Sequence, residues 1–475
     1  MTTIDRRELL ALGSGALLLQ GCATVAAPGV SKPDLPPLFD DLERRTFDFF
    51  WERGRPDNGL IPDRWPTPSF SSIAAVGFAL TAYPLAVERG WISRAQARDR
   101  TLATLRFFDR AKQGDASSGT SGHRGFFYHF LHMDSGTRYK TNELSSVDSA
   151  LLFLGMLFAA EWFDGPDAGE AEIRRLGRDI VERADWVWFQ RGRSDVSMGW
   201  HPEQGFIDRG WTGYNEGMMV AILALGAARH PVCDDAWAAW TATYPQCWRG
   251  TGGTRHLAFA PMFGHQYSHV WIDFRGIRDA VMRDAGFDYF ENSRRATFAQ
   301  RAYAIANPMG WDGYSNDIWG LTACDGPGDF MLRHRGQTRQ VRSYSARGPL
   351  GQPDGFDDGT IAPTAAISSL PFAPEICIPA TQALHRQYGA DIYRRYGFVD
   401  SFNPTVRDPA HKLGSGRIMP AAGWVATDYL GIDQGAIVTM VANYRRDAVW
   451  RRMRQSPTIR RGLQRAGFTG GWLDG

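Results

Sequence analysis

Apolar positions along the chain fall into two kinds of helical segment that alternate. Segments 73–87, 147–160, 217–227 and 435–442 are apolar nearly all round and rich in Ala and Gly, whereas 94–111, 170–190 and 289–306 carry Arg and Glu along one side. Helices are predicted over 37–52, 71–89, 93–111, 146–163, 170–190, 212–228, 234–244, 271–285, 289–306, 361–370, 375–388, 433–444 and 447–464. Start signals support several of them: Ser93 with Gln96 three residues on is a capping-box pattern. An all-apolar helix has no face for water, so it belongs inside a ring of amphipathic ones. About a dozen helices alternating in this way predict an all-α (α/α)6 barrel with small β-hairpin insertions at its cleft. No sequence repeat of solenoid type is evident, and no long linker divides residues 37–475, which are read as one catalytic domain.

The stretch Gly125 to Gly155 joins two periodicities. Phe126, Tyr128 and Phe130 alternate with Phe127, His129 and Leu131 as in a strand. Asp134-Ser135-Gly136 marks a turn. Ser145 and Ser146 offer helix N-caps ahead of a buried helix. Glu143 and Asp148 therefore fall around a helix start, beside an aromatic hairpin.

The acidic and aromatic loops in front of the all-apolar helices hold the candidate chemistry. Asn58 to Trp65 precedes the second helix, Thr141-Asn142-Glu143 the fourth, Gly210 to Glu216 the sixth, and Trp424 to Gln434 the helix near Asp433. Glycoside cleavage needs one carboxylic acid for the leaving oxygen and one carboxylate for water or the anomeric carbon. Glu143, Asp148, Glu216 and Asp433 are the candidates, although an acid in a first helical turn often only supports the cap. Glu216 stands apart because Trp211, Tyr214 and Asn215 surround it and no opposite charge is near in sequence. Flat rings stack on the apolar faces of pyranoses while amides, acids and Arg bind hydroxyls. Arg64, Trp65, Tyr128, Trp211, Tyr214, Asn215, His265, Tyr267, Trp311, Asp312 and Trp424 are the expected binding residues. Tyr314 and Trp319 share that loop character, while Trp186, Trp188, Trp237 and Trp240 sit at helical spacing and are assigned to the core.

Other motifs are weaker. His265 and His269 have a ligand-like spacing, but Gly264 and the lack of HExxH argue against zinc. The loop Asp354 to Gly359 lacks the closing Glu of a calcium site, and no G-x-S-x-G elbow is present. Neither a metal nor a cofactor is expected. With 53 basic and 51 acidic residues the chain has no charge excess to suit a nucleic acid; a monomer is expected.

The first residues predict export. Arg6-Arg7 followed by the apolar run Ala11 to Leu19 reads as a Tat-type signal, too short to span a bilayer permanently. Leu19-Gln20-Gly21-Cys22 resembles a lipoprotein box, so 1–22 is read as signal, Cys22 as the lipidated residue and 23–36 as tether; an ordinary signal peptide is the alternative. Periplasmic or outer-membrane attachment through that lipid is the expectation. Cys233, Cys247, Cys324 and Cys377 remain, and Cys233 with Cys247 is the more plausible bridge in an oxidising compartment.

The segments FYHFLHMDSGTR, NELSSVDSALLFLG, GWTGYNEG and DGYSNDIWGLTACDGP resemble the bacterial glucoamylase-like domain family, in particular the endo-β-1,2-glucanases of glycoside hydrolase family 144. The likeness runs from about Phe47 to Gly471. It implies an (α/α)6 barrel that hydrolyses β-1,2-glucan or β-1,2-linked glucooligosaccharides. By the same likeness Glu216 is the acid, with Glu143 and Asp148 as its partners and Asp433 as a weaker match. An exo-acting or transglycosylating β-glucosidic enzyme and a non-catalytic glycan-binding lipoprotein remain the alternatives.

Overall fold

The second predicted helix carries no charge before Glu88, and in the computed structural model, which describes residues 34–475, every residue from Ile73 to Ala86 is buried. The leader, Cys22 and the tether as far as Pro33 lie outside the described residues. Residues Leu35–Gly475 pack as one unit. Twelve helices make the barrel: α1 (Leu38–Arg53), α2 (Ile73–Glu88), α3 (Arg94–Arg110), α4 (Ser146–Trp162), α5 (Ala168–Glu182), α6 (Met218–Gly226), α7 (Ala236–Thr241), α8 (Tyr267–Trp271), α9 (Tyr289–Ala306), α10 (Pro363–Ile367), α11 (Pro374–Ile392) and α12 (Gly431–Arg446).

Even-numbered helices form the inner ring. α4 is buried throughout Ser149–Ala160, α6 over its whole length, and α12 throughout Asp433–Val441. α2 packs between α4 and α12, and α4 reaches α6. The amide of Met219 donates to Ser268 Oγ, which ties α6 to α8, and Gln266 Nε2 donates to Ala365 O, which ties α8 to α10. α10 meets α12 and the ring closes. The tightest crossing depends on glycine: a Cβ on Gly77 would lie 2.2 Å from Leu151 O, and one on Gly155 would lie 2.1 Å from Gly77 O. Backbone therefore touches backbone where α2 meets α4. Outer helices turn one stripe inward; α5 buries Ile173, Leu176, Ile180 and Val181 and packs on α4 and α3.

Short strand pairs brace one end of the ring. Ser71-Ser72, just before α2, pair with Phe130-Leu131; Leu144-Ser145, just before α4, pair with Gly199–His201; Tyr429-Leu430, just before α12, pair with Arg64-Trp65. Three of the inner-helix N-termini are thus each tied down by a strand pair, and that is where the polar residues gather.

Several elements differ from the sequence expectation. Phe126 to Leu131 is two dipeptide strands, with Phe126, Phe127 and Tyr128 all buried, because barrel and insertion cover both faces. The predicted helix 170–190 breaks at Arg183–Asp185, where Asp185 Oδ1 accepts from Trp188 N and starts a new turn, Trp186–Gln190. The predicted helix 271–285 is instead the end of α8, then a loop, then Ala280–Ala285 capped by Asp279. Buried Asp273, bound by Arg275 and Arg454, holds that loop open. Helix 212–228 starts only at Met218, since Gly213 has φ 79° and Asn215 Oδ1 accepts from Gly217 N. Helix 447–464 is split into Trp450–Met453 and Pro457–Arg465. The four described cysteines are free: Cys233 Sγ accepts from Gln190 Nε2 and Cys247 Sγ donates to Thr243 O, so the expected bridge is replaced by separate contacts. No described helix is long and apolar enough to cross a membrane.

Candidate active site

A cavity of about 200 Å³ opens at the braced end of the inner ring, and four inner helices each send a polar residue to it: Asp148 from the first turn of α4, Glu216 from the turn before α6, Tyr267 from the start of α8, and Asp433 from the first turn of α12. α6 and α12 stand three steps apart round the ring, so Glu216 and Asp433 face the cavity from different sides.

Glu216 is held through its backbone, where its carbonyl accepts from Ser268 Oγ, while its buried Oε2 has no hydrogen-bond partner. Burial pushes this carboxyl from 4.5 up to about 7, and the charge of Asp148 pushes in the same direction. At neutral pH a large fraction of it therefore carries a proton facing a cavity.

His129 forms a clamp beside it. Its Nδ1 lies 2.8 Å from Glu143 Oε1 and its Nε2 lies 3.3 Å from Asp148 Oδ1. Burial alone would deprotonate the ring, but Asp148, Glu143 and Asp63 together raise it to about 9, so His129 is an imidazolium donating to carboxylates on both sides. Glu143 is lowered despite its burial by that bond. Asp148 is pushed up by burial against the pull of His129 and of Ser145, whose hydroxyl donates to Asp148 Oδ2 at 2.6 Å. The ligand atoms of His129, Glu143 and Asp148 lie within 4.8 Å of one another, a spacing open to a cation. With both ring nitrogens already committed to protons, the cluster is satisfied by its own ion pairs.

Asp433 belongs to a second cluster. Its carboxyl is hydrogen-bonded to that of Asp400, and both are buried. Burial, then the charges of Asp325 and Asp63, push Asp433 up to about 7, and burial with the charges of Asp325 and Asp433 pushes Asp400 well above its ordinary value. Two buried carboxyls in contact do not both ionise readily, and the pair shares a proton. Asp400 Oδ2 accepts from Asp325 N at 2.7 Å and from Ser401 Oγ. Arg64 compensates the charge: it bonds Asp325 at 2.8 Å and Asp63 at 3.2 Å, with Asp428 at 3.8 Å.

The remaining expected residues sit elsewhere. Trp211 is buried and donates from Nε1 to Ser146 Oγ, fixing the start of α4. Tyr214 lies parallel to Tyr289 with its hydroxyl at Ser293, and Asn215 caps the turn behind Glu216. His265 is buried, contacts Phe259 O, and is pushed down to about 3 by burial, so it is a neutral core imidazole. His269 is likewise neutral, beside Ser293 Oγ. Trp311 and Trp424 occupy a small second core, while Asp312 pairs with Arg335 at the surface. Tyr128 is buried beneath the Arg138 guanidinium. Trp65 is partly exposed under Arg53, beside the strand that leads into α12. None of these ten lines the cavity.

Sequence reasoning missed His129, Asp400, Asp325, Asp63 and Tyr344. His129 sits in the FYHFLH run, where its strand phase was visible but its two acid partners were not. Asp63 was next to Arg64 in plain sight.

Residues 208–457 match the model of the glycoamylase family, and the chain belongs to that family. Among individual relatives, the exo β-1,2-glucooligosaccharide sophorohydrolase (non-reducing end) of Parabacteroides distasonis is 25% identical over 460 residues, 90% of this chain and 57% of the relative. The chain thus spans little more than half the length of that curated relative. A Bacteroides uniformis protein carrying the family's glucoamylase description is 29% identical with a TM-score of 0.77, over 93% of this chain and all of the other. The endo-β-1,2-glucanase of Chitinophaga pinensis, solved with sophorotriose and glucose, superposes with a TM-score of 0.77 at 24% identity, over 92% of this chain and 99% of the other. The fold is the α/α barrel of these glucanases.

Proposed function

We propose that this chain is an O-glycosyl hydrolase that cleaves β-1,2-linked glucan or glucooligosaccharides. The observation that carries the reading is the Glu216 carboxyl: its Oε2 is buried without a partner, burial raises it to about 7, and it faces a cavity edged by further acids. Such a group costs stability unless it is used, and perturbed carboxyls in a cleft are where acid catalysis is found. Glu216 gives its proton to the glycosidic oxygen as the bond from that oxygen to the anomeric carbon breaks. The ionised carboxylates of the cavity stabilise the positive charge developing on the sugar, and water completes the hydrolysis. The activities of the relatives support β-1,2-linked glucose as the substrate class.

A glycan-binding protein without catalysis needs aromatic and amide surfaces but has no use for a buried, partnerless acid, so the enzyme reading is preferred. The Glu216→Gln variant keeps shape and hydrogen bonding but has no proton to donate. Hydrolysis of linear β-1,2-glucan is expected to fall by at least about 100-fold, with glucan binding by calorimetry unchanged. Retained hydrolysis in that variant would remove Glu216 from the acid's role.

The twin arginines and Leu19-Gln20-Gly21-Cys22 support an exported, lipid-anchored enzyme. Expression of Cys22→Ala should then shift the protein from the membrane to the soluble fraction. A wild type that is already soluble and unprocessed would contradict the anchor.

A further inference from the structure

We propose that Tyr344 is the aromatic platform on which a substrate glucosyl ring stacks as the chain leaves the cavity, an inference resting on the glucan-hydrolase reading above. Tyr344 lines the cavity yet is 60% exposed, whereas of the other rings lining it Tyr267 is buried and Phe263 and His129 are partly buried. It stands within electrostatic reach of the carboxylates of Asp433 and Asp400, so it borders the Asp433 side of the cavity, across from Glu216. The cavity, at about 200 Å³, is smaller than the roughly 300–1,000 Å³ usual for ligand pockets, so an oligosaccharide cannot be housed within it and must run out past its mouth. Tyr344 is the exposed aromatic side chain among its lining residues.

The loop that presents this ring is fixed in place, as a binding platform requires. Arg347 is fully buried, and all of its nitrogens are engaged. Nε and Nη2 grip Asp358 at 2.8 and 2.9 Å, Nη1 donates to Cys324 O and Ser345 O, and Nη2 also donates to Arg342 O and Ser343 O. The chain from Arg342 to Ser345 is therefore wrapped around one guanidinium. Further bonds pin it on both sides of Tyr344: Asp358 Oδ2 accepts from Arg342 N, Asp329 accepts from both the amide and hydroxyl of Ser343, and Ser345 exchanges two backbone bonds with Cys324. A buried Arg–Asp pair is an expensive way to hold a loop. Here it fixes the backbone on either side of an exposed aromatic ring, so little backbone ordering entropy is lost when a sugar lands on it.

The test compares Tyr344→Ala, which removes the ring, with Tyr344→Phe, which keeps it, on linear β-1,2-glucan. Aromatic stacking of about 1–1.5 kcal/mol corresponds to a rise in KM of roughly 5- to 12-fold for Tyr344→Ala, with kcat changed less. Tyr344→Phe should stay within about twofold of wild type, and both variants should melt as wild type does, since the ring is exposed. An unchanged KM in Tyr344→Ala, or equal damage in Tyr344→Phe, would overturn the platform. Failure of the underlying reading looks different: the wild type would then turn over no β-1,2-glucan at all. In that event binding of the same glucan by calorimetry decides, with the same ratio between Ala and Phe variants expected and equal binding by all three contradicting it.

Discussion

Glu216 and His129 show how burial and charge set opposite protonation states a short distance apart. His129 keeps its proton because carboxylates occupy both ring nitrogens; Glu216 keeps its own because burial outweighs its backbone hydrogen bond and the distant charge of Arg209. The sign for stability follows from the raised value. The neutral form of Glu216 is favoured in the folded state, so its contribution is complete below about 4.5 and is lost as pH rises through about 7. Two outcomes are expected together. The rate on glucan should fall on the alkaline side with a midpoint near 7, and Glu216→Gln, though inactive, should melt higher than wild type at pH 8 while the two converge at pH 4. An alkaline limb beginning only above pH 9 would assign the proton to another group. Asp433 and Asp400, both raised by burial, titrate as a pair and contribute in the same direction.

At the level of elements, the crossing of α2 with α4 positions both the Ser72 end and the Ser145–Asp148 end of the site, and it depends on two glycines in backbone contact. Gly77→Ala would drive a Cβ to 2.2 Å from Leu151 O, a main-chain atom that cannot rotate away. Overpacking of this kind costs about 1–3 kcal/mol, so the variant should unfold at lower denaturant with an unchanged slope. Wild-type stability in Gly77→Ala would mean the helices do not approach so closely. The helices legible in the sequence were those whose own composition decided their fate: α2, α4 and α12 are uncharged over long runs and could only be buried. Those misjudged were decided by distant partners. Asp273 ends α8 because Arg454, far along the chain, is there to bind it, and Asp185 restarts a helix inside what reads as one amphipathic stretch. Spacing along a segment carries no information about such partners.

For the whole molecule, the alternation of all-apolar and amphipathic helices was enough to indicate two concentric rings, and the acids preceding the apolar helices were enough to indicate the end where Asp148, Glu216 and Asp433 meet at one cavity. The aromatic contribution was not legible. Trp211, Trp311 and Trp424 adjoin Gly, Asp or Asn as loop residues do, but the loops of this barrel fold over its end and bury their own rings. Tyr344, which is exposed, sits between serines without any such mark. The central claim is the linkage, and the direct measurement is product release from a panel of linear β-1,2-glucan, β-1,3-glucan, cellulose fragments and starch. The account predicts short β-1,2-linked glucose oligosaccharides from the first and no comparable release from the others. Preferential release from starch, or no turnover of β-1,2-glucan, would contradict it.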